Sequence, residues 1–313
     1  MNVKAYLNRI GFECGNELPP PTTETLQRLQ KLHQLSIPWE NLDVVTGVPI
    51  DLSMETLYSK IVVNRRGGWC HELNCLYSWL LKQLGFDVTL VSSRFWVMGS
   101  WNREGDHMLI LVKIPTNQDQ DLTFISDVGW GEMRAFVEPL PLEADTVVTQ
   151  INGHFRLMKD DLSQEWTLFN QKIGEFDSNA WTKCCKFTLQ HSTLEHFQEI
   201  TRIYANGLDE KVLILKELPI IMKKSGNGSE ANIVIGGACL HFNKIGNLAR
   251  KMVTFDLPLE VPSDFGELLF QTFDLKVGEG LADKVIDQIQ RSGQLMAALS
   301  GEKQPSNLNE VLE

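Results

Sequence analysis

The chain has 313 residues, 43% of them apolar and 22% charged, with a formal charge of −11. This length suits two or three domains rather than one small core, and the acidity excludes a broad nucleic-acid footprint. No apolar run reaches the roughly 18 residues that cross a membrane, because Lys216, Glu217 and Pro219 interrupt the best one.

The first residues, Met1 to Ile10, hold no uninterrupted apolar leader. The six cysteines lie at 14, 70, 75, 184, 185 and 239, without framework spacing. Reduced thiols and a cytoplasmic protein are the expectation.

Residues 1–85 read as mostly helical. The run Pro19-Pro20-Pro21 breaks the chain, and Thr22 to Leu35 then forms an amphipathic helix with Leu26, Leu29, Leu32 and Leu35 as its apolar stripe. Thr22 or Thr23 is the N-cap, and Glu24 suits the positive end of the first turn. Pro38 ends or redirects that helix. A second helix follows Cys70. Leu73, Leu76, Tyr77, Leu80, Leu81 and Leu84 form one stripe of 3.6-residue period, and Gly85 supplies the stop.

Residues 86–190 change to short β-rich segments: Val88–Val91, Met108–Val112, Leu122–Ile125, His154–Leu157 and Trp166–Phe169. Many short strands in so small a span predict a barrel or sandwich. From residue 191 the pattern is mixed. Ser192 to Tyr204 reads as a helix with Ser192 and Glu195 as a capping box. Val212–Leu215, Ile233–Ile235 and Ala238–Phe242 read as strands, and Gly280 to Ile289 as a final helix. The tail after Ser300 is polar and is expected to be disordered.

The stretch Arg65-Arg66-Gly67-Gly68-Trp69-Cys70 carries the first hint of chemistry. Cys70 stands in or just before the first turn of a helix, where free N–H groups and the dipole favour a thiolate. Gly67 and Gly68 permit a tight turn and leave space beside the sulfur. A buried structural cysteine opening a core helix is the competing reading.

A nucleophilic thiolate needs a base, and the base needs an orienting group. His107 begins one predicted strand and Asp127 ends the next. A hairpin centred on Asn117 sets them opposite one another on one face. A two-residue shift keeps them on that face, whereas a one-residue slip separates them. Two unrelated solvated residues on a surface hairpin are the alternative.

Five short motifs then occur in order. They are Tyr6-Leu7-Asn8-Arg9-Ile10-Gly11, Ile37-Pro38-Trp39-Glu40-Asn41-Leu42, Arg66-Gly67-Gly68-Trp69-Cys70 continued by Glu72 and Asn74, Asp106-His107-Met108-Leu109, and Ser126-Asp127-Val128-Gly129-Trp130-Gly131. Phe155-Arg156-Leu157 and Phe187-Thr188-Leu189 fit later positions. In these motifs the chain resembles the arylamine N-acetyltransferases through nearly its whole length.

The resemblance implies an α+β protein. It would have a helical domain at 1–85 carrying the nucleophile, a central β-barrel at 86–190 carrying His and Asp, and an α/β lid at 191–313. It also implies a Cys-His-Asp core of the cysteine-protease type, formed by Cys70, His107 and Asp127. The activity implied is ping-pong transfer of acetyl from acetyl-CoA, through an acetyl-cysteine, to an aromatic amine or hydrazine. Neither a metal, a membrane nor a nucleic acid is implied as a partner.

Around that core, Trp39 and Trp130 are candidate walls for a flat amine, with ordinary core packing the alternative for each. The family often has Phe at both places, so two Trp residues imply a reshaped pocket. Glu132 and Arg134 are candidates for tuning selectivity. In the turn before His107, Arg103 and Gly105 are candidates for contact with CoA, Gly105 by allowing close backbone approach. Arg65 and Arg66 are candidates for a phosphate, with a structural ion pair, Glu40 its partner, as the equal alternative. Cys184-Cys185 with His191 and His196 lacks a zinc-type spacing. A Cys-His-Asp hydrolase or transglutaminase-like acyltransferase is the alternative enzyme, and a binding module with an unreactive Cys70 the alternative class.

Overall fold

The computed structural model describes residues 1–97, 99–116, 121–131, 135–171, 180–207, 213–235, 238–243, 249–253 and 262–300. The first region holds helices α1 (Val3–Arg9) and α2 (Thr23–Ser36), a short strand β1 (Trp39–Glu40), and helices α3 (Leu42–Val45) and α4 (Met54–Tyr58). A wide π-type turn (Ser59–Val63) leads on to α5 (Cys70–Gln83). Thr22 caps α2, its hydroxyl accepting from the Thr25 N–H at 3.2 Å. The stripe of α5 is buried along its whole length. That of α2 is not as predicted. Leu26 and Leu29 are buried, but beside them lie Gln30, His33 and Gln34 rather than Leu32 and Leu35.

The next region is an antiparallel sheet: β2 (Asp87–Val97), β3 (Ser100–Trp101), β4 (His107–Ile114), β5 (Leu122–Ser126), β6 (Leu140–Pro141), β7 (Val147–Gln150), β8 (Gly153–Lys159), β9 (Trp166–Gln171) and β10 (Thr182–His191). The spatial order is β6-β5-β4-β2-β10-β9-β8-β7, with β3 paired to β2. Its edges β6 and β7 are consecutive in the chain. The sheet therefore curls until it nearly closes as a barrel. Strand β4 is buried on both faces, which is why Met108–Val112 is continuously apolar. Met108, Ile110 and Val112 pack toward the helices, while Leu109 and Leu111 fill the barrel with Phe136, Phe155, Trp166 and Phe187.

The last region contains α6 (Leu194–Ala205), α7 (Leu213–Glu217), strands β11 (Ile220–Ser225), β12 (Glu230–Ile235), β13 (Ala238–Asn243) and β14 (Ala249–Val253), and helices α8 (Pro262–Phe273) and α9 (Glu279–Ser300). Thr193, not Ser192, caps α6 by accepting from the His196 N–H. Of the predicted strand at Val212–Leu215, Leu213–Leu215 are helical instead, and Val212 lies outside the described residues. Leu, Lys and Glu favour that conformation, and the Asn41 side chain ties off the Leu215 and Leu218 carbonyls at 2.6 and 2.8 Å. The last helix runs eleven residues past its predicted end at Ile289, to Ser300, and the predicted polar tail lies outside the described residues.

A second sheet, β1-β11-β12-β13-β14, joins the first and last regions. Trp39 pairs with Met222 and Glu40 with Ile221. Among the described residues, no helix is long and apolar enough to cross a membrane.

Candidate functional site

The turn into α5 is held by buried charge. The Glu72 carboxylate accepts the Trp69 N–H at 2.9 Å and pairs with Lys60 at 2.8 Å. Lys60 also reaches Asp43 at 2.6 Å, and Arg66 bridges Asp43 and Glu40 at 2.8 and 2.7 Å. Of the two roles open to Arg66, the structure shows the ion pair, with Glu40 as a partner. The two glycines serve packing rather than open space. A Cβ on Gly67 would lie 2.2 Å from the Pro38 carbonyl oxygen, and one on Gly68 would lie 3.1 Å from the Glu72 Cβ.

Cys70 is 7% exposed, and its sulfur lies 3.9 Å from the carbonyl oxygen of Asp106. Burial pushes its thiol well above the ordinary range, and the charges of Asp106 and Asp127 push it further. The His71 N–H opposes them. The helix start alone therefore does not make a resting thiolate. Desolvation outweighs the dipole here.

His107 opens β4, and Asp127 follows the end of β5. The ladder pairs Ile110 with Ser126 and Ile114 with Leu122. This is two residues off the pairing centred on Asn117, a position outside the described residues. Such a shift keeps both side chains on one face, and they meet with His107 Nε2 2.6 Å from Asp127 Oδ2. A carboxylate only accepts, so Nε2 carries the proton. The other ring nitrogen, Nδ1, is buried without a hydrogen-bond partner. The Phe95 ring packs 4.4 Å from the imidazole and 5.3 Å from Trp130.

Asp127 is tied to the helix that begins at Cys70. Its Oδ1 accepts from Asn74 Nδ2 at 2.8 Å, the Gly129 N–H at 2.8 Å and the Trp130 N–H at 3.1 Å. Asn74 also donates to the Met108 carbonyl at 2.7 Å and accepts from the Val128 and Gly129 N–H groups at 2.9 and 3.1 Å. From α2, Gln30 Oε1 accepts the Asp127 N–H, and Gln34 Nε2 donates to the Asp127 carbonyl. A Cβ on Gly129 would meet the Cys70 carbonyl oxygen at 2.4 Å, so only glycine lets this segment lie on the start of α5.

Sequence reasoning gave Asn74 no role and overlooked Gln30 and Gln34. Their signal was spacing. Asn74 stands four residues after Cys70, and Gln34 four after Gln30, so each pair shares a helix face.

Trp39 and Trp130 are both buried and line one small, partly open cavity, together with Gln34, Ile37, Val128, Met222 and Lys224. Arg103 is exposed at the turn before His107. Gly105 in that turn has φ +80°, and a Cβ there would meet His196 Nε2 of α6 at 2.6 Å. Glu132 and Arg134 lie outside the described residues. His71, given no role from sequence, is fully buried behind Cys70, with Nδ1 2.6 Å from Thr201 Oγ1 of α6.

Comparison with known proteins comes down on one side. A family model described as N-acetyltransferase matches residues 22–218. Arylamine N-acetyltransferase 1 of Mesocricetus auratus is 30% identical over 218 residues, covering 66% of this chain and 71% of its own. The solved M. smegmatis arylamine N-acetyltransferase superimposes with a TM-score of 0.75 at 25% identity, over 92% of this chain and 98% of its own. The Mycobacterium marinum arylamine N-acetyltransferase, solved in complex with CoA, gives a TM-score of 0.75 at 23% identity, over 92% of this chain and 99% of its own.

Proposed function

From the premise that the chain belongs to the arylamine N-acetyltransferase family, a family of acyltransferases, we propose a ping-pong cycle in which Cys70 carries acetyl from acetyl-CoA to an aromatic amine or hydrazine. The observation that carries this reading is the 2.6 Å contact between His107 and Asp127, with Asp127 also bonded to Asn74 on the helix that Cys70 begins.

In this reading the thiol proton of Cys70 passes to His107 Nδ1, the nitrogen that Asp127 leaves unpartnered. Burial raises the thiol, so proton transfer within the pair, with Asp127 stabilising the imidazolium, is what makes sulfur nucleophilic. The sulfur attacks the thioester carbon of acetyl-CoA. The C–S bond to CoA breaks, and CoA leaves with the proton from His107. The amine nitrogen then attacks the acetyl-cysteine. His107 takes the amine proton and returns it to the Cys70 sulfur as that C–S bond breaks. Exchange of one thioester for another is nearly balanced, so the acetyl group stays activated for the second step.

Residues 1–85 supply the nucleophile, 86–190 the base and its carboxylate, and 191–313 the cover. The turn with Arg103 and Gly105 is the CoA-facing element. Its support is the position of the Asp106 carbonyl beside the Cys70 sulfur. Trp39 and Trp130 face the acceptor ring.

Initial rates measured over a grid of acetyl-CoA and amine concentrations test the cycle. Parallel double-reciprocal lines and a burst of CoA release without amine are expected. Intersecting lines with no burst would contradict it.

A further inference from the structure

Helix α6 lays one face along the start of α5. His196, Ile200, Thr201 and Tyr204 fall on that face. The Tyr204 ring lies 6.3 Å from that of Trp69, and Thr201 Oγ1 lies 2.6 Å from His71 Nδ1. Trp69 and His71 flank Cys70 in the chain. His196 and Ile200 lie against Gly105, where a Cβ would come within 2.6 and 3.2 Å of them. Gly105 precedes Asp106, whose carbonyl oxygen stands 3.9 Å from the Cys70 sulfur. One face of α6 therefore braces both elements between which the sulfur sits.

The polar contact between α6 and α5 on this face joins Thr201 to His71, and both are fully buried. Among the described residues the Thr201 hydroxyl has no second acceptor, so it donates to Nδ1 and the ring proton stands on Nε2. The Gly105 carbonyl favours a proton on this ring, although the buried Nε2 closes no hydrogen bond. Burial keeps the ring neutral, and the nearby His107 opposes a second charge. Without the Thr201 hydroxyl, both nitrogens of a buried ring would lack a partner. A shift of the ring would relieve that desolvation cost. His71 is the residue after Cys70, so such a shift moves the sulfur.

We propose that Thr201 is a positioning residue for the acetylation of Cys70. Through His71 it sets the start of α5 against the turn at Gly105 and Asp106, and so fixes the line on which the sulfur meets the thioester carbon. The last region of the chain thereby contributes to the first half of the cycle through a residue that touches neither substrate nor sulfur. The inference rests on the acetyl-transfer reading above.

The test follows the burst of CoA release at saturating acetyl-CoA without amine, in wild type, Thr201→Ser, Thr201→Val, His71→Leu and the double variant Thr201→Val with His71→Leu. Valine keeps the shape of threonine and removes the hydroxyl. The burst is expected to slow about tenfold or more in Thr201→Val and to a similar degree in His71→Leu. Thr201→Ser, which keeps the hydroxyl, is expected to burst at the wild-type rate. The two losses are expected not to add, because Thr201 acts through His71. A hydroxyl of purely structural use would lower the unfolding midpoint of Thr201→Val and leave the burst rate of the folded enzyme unchanged, which would overturn the inference. A wild-type burst in His71→Leu would overturn it even if Thr201→Val failed to fold. Losses that multiply in the double variant, or an equal loss in Thr201→Ser and Thr201→Val, would also overturn it. Each of these results leaves the acetyl-transfer reading standing, whereas a wild-type enzyme that releases no CoA would overturn both.

Discussion

Asn74 has four hydrogen-bond contacts and no charge; three reach the segment that presents Asp127, and the fourth reaches the Met108 carbonyl next to His107. It is a positioning residue, acting on His107 through Asp127 and through the Met108 backbone. In Asn74→Ala the Val128 N–H loses its partner and Asp127 Oδ1 loses one of three donors. Steady-state kinetics are expected to show kcat down by roughly 10²-fold, the scale of a 1 Å misplacement. Denaturant unfolding is expected to show a loss of about 1–3 kcal/mol. Wild-type kcat in a folded Asn74→Ala protein would contradict this role. At this scale the sequence disclosed the pair that hydrogen-bonds directly, His107 and Asp127, because strand periodicity is strict enough to survive a two-residue error in register. It did not disclose Asn74 or Gln34. A polar residue on a helix face has no marker of burial until the partner surface is known, and the apolar stripe drew attention to Leu32 and Leu35 instead.

Among the elements, the turn from the π-type segment into α5 is the most constrained. Lys60 stands between the buried carboxylates of Asp43 and Glu72. Removing one member of such a set leaves uncompensated buried charge, so Lys60→Met is expected to cost about 3–5 kcal/mol. Urea unfolding of the purified variant measures this directly, and a change under 1 kcal/mol would show that the network behaves as exposed ion pairs. The motif around Cys70 was legible as a glycine-rich helix start, but the purpose of its glycines was not. Gly67 is required by Pro38, a contact between segments nearly thirty residues apart that only the fold creates. Likewise β1 was hidden in a region read as helical. Two residues give no period, and their pairing partner, β11, lies some 180 residues away.

Taken as a whole, the molecule buries neutral histidines at its centre. Burial lowers His33 and His71 to about 3, against about 6.5 when unfolded. Between those values the unfolded chain binds protons that the folded chain refuses. The stability these residues contribute is therefore full above about pH 6.5 and is lost as pH falls toward 3. From pH 7 to pH 5 each accounts for about 2 kcal/mol of that loss. Urea titrations at the two pH values should show a wild-type decline that is smaller by about that amount in His71→Gln. An unchanged decline would contradict it. The order of helical, barrel and mixed regions was readable from periodicity. How the regions lock together was not. The last region is pinned to the first by Asp274, which both Arg9 and Arg65 grip, and single long-range ion pairs leave no pattern in the chain. The claim on which everything else depends is that Cys70 carries the acetyl group, and intact-mass analysis after adding acetyl-CoA tests it most directly. A gain of one acetyl group is expected, located on Cys70, discharged by an aromatic amine and absent from Cys70→Ser. A wild-type protein that gains no acetyl group, or a Cys70→Ser protein that still acetylates amines at the normal rate, would contradict it.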